Sequence, residues 1–174
     1  MKWYDGKDDP ISWFFQNLDK PNFSQTEVLV LAGKRLKAVT LQNWTNRQYV
    51  KPKIVGGKRR YSALEVASIS LAQPLVSNLA VDPSSATLII VHALLIFQRK
   101  LKSKEFSSNE VSHILGAVGD PVEEPIFIDA RKVAPILFET RDALVVLPFG
   151  RLLSDLAKRQ RELIEFRLSA GKTA

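Results

Sequence analysis

The stretch that decides the fold opens with Ser24-Gln25-Thr26-Glu27 and continues through Val39-Thr40-Leu41-Gln42-Asn43-Trp44. It closes with Ile54-Val55-Gly56-Gly57-Lys58-Arg59-Arg60-Tyr61 and Ser62-Ala63-Leu64-Glu65. Ser24 with Glu27, and Ser62 with Glu65, have the spacing of a capping box, in which the serine accepts from the backbone three residues on and the glutamate reaches back. The first box predicts a short helix through Val28, Leu29 and Leu31, ended by Ala32-Gly33. A second helix is predicted over roughly Leu36 to Gln48, with Leu36, Val39, Leu41 and Trp44 offered as its apolar face. Ile54-Val55, Gly56-Gly57 and Arg59 to Tyr61 read as strand, tight turn and returning strand. A third helix follows through Val66, Ile69 and Leu71, with Pro74 expected to kink or end it.

Charge is concentrated in the same stretch. From Val28 to Leu64 there is no acidic residue, while Lys34, Arg35, Lys37, Arg47, Lys51, Lys53, Lys58, Arg59 and Arg60 all lie there. The chain as a whole has 25 basic and 18 acidic residues, net +7, so removing these nine cations leaves the remainder at −2. A local positive excess is the electrostatic footprint of a nucleic-acid contact.

Helix, turn, helix, two-stranded wing with a basic tip, third helix is the order of a winged helix-turn-helix. Its second helix would present Thr40, Gln42, Asn43, Asn46 and Arg47 to the major groove. There Gln and Asn can bond bidentately to adenine and Arg to guanine, each pairing supplying about 1–3 kcal/mol of discrimination. The wing would present Lys58, Arg59 and Arg60 to phosphates or to a minor groove.

The run from Val39-Thr40-Leu41-Gln42-Asn43-Trp44 to Val50-Lys51-Pro52, with Gly57-Lys58-Arg59-Arg60-Tyr61-Ser62 and Leu64-Glu65-Val66, resembles the DNA-binding domain of MerR-type regulators. The resemblance covers residues 23–72. It implies base or phosphate contacts at Gln42 and Asn43, a backbone contact near Arg47, and wing positions for Arg59, Arg60 and Tyr61. Three departures stand out: Gln42 in place of the usual arginine, Gln48 in place of the glycine after the helix, and a turn lengthened at Lys34 to Ala38. Residues 75–174 do not resemble the long coiled coil and effector domain of that family, so ligand sensing and promoter untwisting are not carried over.

Around this module, residues 1–22 form an aromatic arm with Trp3, Tyr4, Trp13, Phe14 and Phe15, in which Pro10 and Pro21 bracket a helical turn at best. The arm packs on the neighbouring domain or docks a protein partner. Residues 23–74 are the expected DNA-binding domain and 75–174 a C-terminal α+β domain that supplies dimerisation or meets a partner. Asp82-Pro83 starts an apolar helix to Phe97, finishing on Arg99, Lys100, Lys102 and Lys104. Ser107 to Glu110 caps a short helix ending near Gly116; Ile126-Phe127-Ile128 and Leu144 to Leu147 read as strands, with a helix from Asp129 to Thr140 between them. Phe149 to Leu168 is an amphipathic helix whose Leu153, Leu156, Leu163 and Ile164 are either a dimer seam or a core wall. The expected fold class is mainly α with small β (α+β).

The chain contains no cysteine, which removes disulfides, thiolate zinc sites and thiol sensing. His92 and His113 have no metal-spaced partner, so neither a metal nor a cofactor is expected. No phosphate-binding loop or nucleophile elbow occurs, and Asp8-Asp9 and Glu123-Glu124 have no basic or histidine partner at a useful spacing, which argues against an enzyme. The N-terminus has no signal-peptide core, and Ala86 to Phe97 is too short to span a bilayer, so a cytoplasmic protein without membrane contact is expected. The functional expectation is a homodimeric, sequence-specific regulator of transcription on double-stranded DNA, of bacterial or phage type. Two alternatives stand beside it: an excisionase-like or architectural DNA-binding accessory factor, and a non-catalytic adaptor for an acidic protein or RNA.

Overall fold

The structure is a computed structural model that describes residues 9–33, 36–103, 105, 111, 114–118, 126–129 and 145–170. It is mainly helical with two small antiparallel sheets. Helix α1 (Pro10–Gln16) is capped by Asp9, whose Oδ1 accepts from Ile11 N at 2.8 Å and Ser12 N at 3.2 Å. It is a full helix rather than a single turn, because burial of Ile11, Trp13 and Phe14 adds tertiary support to a good cap. The packing reading of the arm therefore holds for Trp13 and Phe14, while Trp3 and Tyr4 lie outside the described residues.

Helices α2 (Gln25–Ala32) and α4 (Ala63–Leu79) both begin with the expected capping boxes. Ser24 N donates to Glu27 Oε2 and Ser62 N to Glu65 Oε2, each at 2.7 Å. The residues just before the two caps pair with each other: Tyr61 N donates to Phe23 O at 2.8 Å and Phe23 N to Tyr61 O at 2.9 Å. This bridge sets the starts of α2 and α4 side by side. Between them lie α3 (Ala38–Asn46) and the hairpin β1 (Lys53–Val55) and β2 (Lys58–Arg60). Gly56 and Gly57 both have positive φ, 57° and 73°, as a type I′ turn requires, and the register pairs Val55 with Lys58.

Pro74 does not end α4, which runs unbroken through it to Leu79 and so through the expected boundary between residues 74 and 75. An interior proline costs a helix about 3 kcal/mol. Here Leu75 beyond it is buried and Val76 packs on the core, which offsets that cost. Helix α5 (Pro83–Lys102) starts at an Asp82 cap and packs along α4, with Ile90, Leu94, Ile96 and Phe97 buried. It has the length and apolar content of a membrane span, at a mean hydropathy of 1.2, but its inner face belongs to the folded core. His92 lies on its exposed side; His113 is outside the described residues.

Residues 114–118 correct an expectation. They form strand β3 (Ile114–Val118) rather than the end of a helix, flanked on both edges by β4 (Ile126–Asp129) and β5 (Val145–Leu147). A short apolar run is ambiguous by pattern, and the two strand partners decide it. A side chain at Gly116 would meet Phe149 Cβ at 3.1 Å, so glycine lets the strand lie close against the last helix. The helix expected over Asp129 to Thr140 falls beyond Asp129 outside the described residues; Asp129 itself belongs to β4.

Helix α6 (Phe149–Ala170) crosses the molecule and contacts α1, α2, α4 and β3. Phe97 of α5, Phe127 of β4 and Phe149 of α6 form a ring cluster with centroids 5.1–5.5 Å apart. Leu153 and Leu156 are buried in the chain's own core, so the expected seam residues divide. Only Leu163 and Ile164, both half-buried, retain surface. The apolar core is continuous from Ile11 to Ala157.

Candidate nucleic-acid interface

Helix α3 turns two faces in opposite directions. Leu41 and Trp44 are buried, while Val39, Gln42, Asn43, Asn46 and Arg47 are exposed and Thr40 is half-buried at the edge. Positions three, four and seven apart share a helix face, so Val39, Gln42, Asn43 and Asn46 form one outward strip. Val39 was expected on the apolar face and is 59% exposed. The reason lies in the helix start at Ala38: Leu36 is buried from the preceding turn, and Val39 stands two residues from Leu41, on the other side.

The hairpin is fastened to the end of this helix. Arg59 Nη2 donates to Asn46 Oδ1 at 3.3 Å. Beneath it, Thr45 Oγ1 donates to Leu41 O at 2.9 Å and lies 3.2 Å from the Tyr61 hydroxyl. A threonine has one hydroxyl proton, already given to Leu41, so the Tyr61 phenol is the donor in that pair. Tyr61 is 0% exposed, and its expected place among surface contacts is corrected: it is a core side chain joining the hairpin's end to α3. Asn46 likewise spends its amide oxygen on Arg59, which leaves Gln42 and Asn43 as the residues with a whole amide turned outward.

Lys37, Arg47, Lys51, Lys53 and Lys58 are exposed, and Arg59 and Arg60 are half-buried. Among the described residues none of these seven takes part in an ion pair. Lys34 and Arg35 are outside the described residues. Lys51 and Lys53 share a cleft of about 310 Å³ with Asp19 and Glu65, which tempers their field, so the least compensated cations are those of the hairpin tip and the two ends of α3. Exposed Ile54 and Val55 stand beside the hairpin cations, an apolar element that strand alternation alone could not have placed on the surface.

The second residue beyond α3, past its Arg47 cap, also has a structural role. Gln48 has φ of 61°, in the left-handed region where glycine is at ease.

The C-terminal helix braces this assembly from behind. Arg159 Nη1 donates to Leu31 O at 2.7 Å, at the end of α2, and the buried Gln160 Nε2 donates to Ala63 O at 3.4 Å. Arg167 Nη1 donates to Asn22 O at 3.0 Å, its Nε lies 3.2 Å from Glu27, and its guanidinium sits over the Phe23 ring. No spacing rule links residues so far apart in the chain. No group of three or more metal-ligating side chains occurs among the described residues. No protein-family model, no curated protein and no solved structure matches this chain.

Proposed function

We propose that this protein is a sequence-specific regulator of transcription that binds double-stranded DNA through a MerR-like winged helix-turn-helix. In this reading it is a non-catalytic, cytoplasmic homodimer of bacterial or phage type. The observation that carries it is the juxtaposition of α3's outward amide strip with a hairpin tip whose cations Lys58, Arg59 and Arg60 have no ion-pair partner among the described residues, the two fixed together by Arg59 and Asn46. An α-helix with its side chains is about 10–12 Å across, which fits a major groove about 12 Å wide. Gln42 and Asn43 then face base edges, and Lys58, Arg59 and Arg60 neutralise phosphates and release counterions. One such module buries little surface, and a two-fold pair would double its contacts. Leu88 and Leu95, exposed on the outer side of α5 seven residues apart, are available for that association.

Selection of bound duplexes from a random library by the full-length protein, at roughly physiological salt, tests the reading. An enriched inverted repeat supports it; recovery of unenriched sequence overturns it. Exposed Ile54 and Val55 favour one second reading, the architectural one, because apolar side chains on a basic hairpin can wedge between base steps in a minor groove and kink the duplex. Strong mobility anomalies with circularly permuted fragments would move that reading ahead.

A further inference from the structure

Val39 sits in the first turn of α3, the part of a recognition helix that meets base edges, and heads its outward strip. Leu41 and Trp44 lie on the opposite side, and the amides of Gln42 and Asn43 flank it. At 59% exposure it leaves most of an apolar side chain in water, on a face otherwise made of amides and cations. Helix formation does not account for it, since a β-branched residue is a weak helix former and an exposed position asks for nothing apolar. In the major groove the one apolar feature that base edges display is the 5-methyl group of thymine. We infer that Val39 is a specificity-determining residue that reads a thymine by methyl-to-methyl contact, while Gln42 and Asn43 supply the directional hydrogen bonds beside it. This inference rests on the DNA-binding reading above.

The test uses the full-length protein and the duplex recovered by selection. Each thymine is replaced singly by uracil, which removes the methyl and keeps every hydrogen-bonding group. The wild-type protein should lose about fourfold in affinity at one thymine in each half-site, the loss expected for one buried methyl. Val39→Ala should bind the unmodified duplex more weakly and distinguish thymine from uracil less at that position. Its thermal unfolding should fall no lower than the wild type's, since the site is exposed and alanine is the better helix former. Enriched duplexes that tolerate uracil at every position would overturn the inference while leaving DNA binding intact. So would a uracil penalty that persists unchanged in Val39→Ala. Failure to enrich any sequence would overturn the DNA-binding reading and this inference together.

Discussion

Three cations of α6 and those of the α3–hairpin face stand in opposite electrostatic situations. On α6, Arg161 lies 3.0 Å from Glu165, Lys158 lies 3.9 Å from Glu162, and Arg167 reaches Glu27 at 3.2 Å. Lys100, at the end of α5, is likewise paired, donating at 2.7 Å to Glu105 and holding that carboxyl below its usual range, with Ser103 adding a second hydrogen bond. Across the hairpin and α3 the cations have no such partners among the described residues, although the chain has 18 acids to spend. The difference separates two uses of the same side chains. Paired at helical spacing, Arg and Lys solvate and brace a structural helix; grouped without acids, they leave a field that a polyanion can neutralise.

If that division holds, variants in one region should move stability and variants in the other should move DNA binding. The largest expected effect is structural: Leu153→Ala, which empties a fully buried position on α6, should cost about 2–5 kcal/mol in urea denaturation. Next, Arg59→Ala with Arg60→Ala should cost about 1 kcal/mol of stability or less, the exposed bond to Asn46 going with Arg59, while it weakens binding to every duplex and flattens the slope of log affinity against log salt by about 2. Lys158→Ala with Arg161→Ala should leave that slope alone, and an equal flattening in both pairs would break the comparison. Asn43→Ala should reduce discrimination between selected and random duplexes by about 1–3 kcal/mol, more than it reduces non-specific affinity. A uniform loss in competition titrations would make Asn43 a backbone contact instead.

Smaller effects sharpen the picture. Gln48→Gly should raise stability by about 1 kcal/mol in thermal unfolding, because it relieves a left-handed backbone at a residue with a Cβ. The least effect belongs to Glu105. Its folded-state pKa lies below the ordinary carboxylate value, so its contribution is present above that value and is lost as pH falls through the lowered one. Glu105→Gln should remove this slight dependence from midpoints measured across the acid range.

What the sequence made legible was the chemistry that acts over a few residues. Ser24 with Glu27, Ser62 with Glu65, Asp82 with Pro83, and the Gly56-Gly57 turn each carry their own local cause, and each marks the element it was expected to mark. Where distant residues decide, local reading fell short. Tyr61 reads as a wing residue until its bridge to Phe23 and its bond to Thr45 take it inside. Residues 114–118 read as a helix end until strands on both sides claim them. The bracing by Arg159, Gln160 and Arg167 joins residues about a hundred positions apart or more, beyond any periodic signal. For the candidate site, the acid-free charge window and the α3 amides were readable. The exposure of Val39 and the Asn46–Arg59 tie were not, because they depend on where α3 begins and how the hairpin folds back.

The most direct test of this division is a titration of the ¹⁵N-labelled full-length protein with duplex DNA, followed residue by residue in amide spectra. Shifts concentrated in residues 37–47 and 53–60 are expected, with the amides of α6 from Arg151 to Ala170 left in place. Shifts centred on α5 or α6, with α3 and the hairpin unmoved, would contradict it.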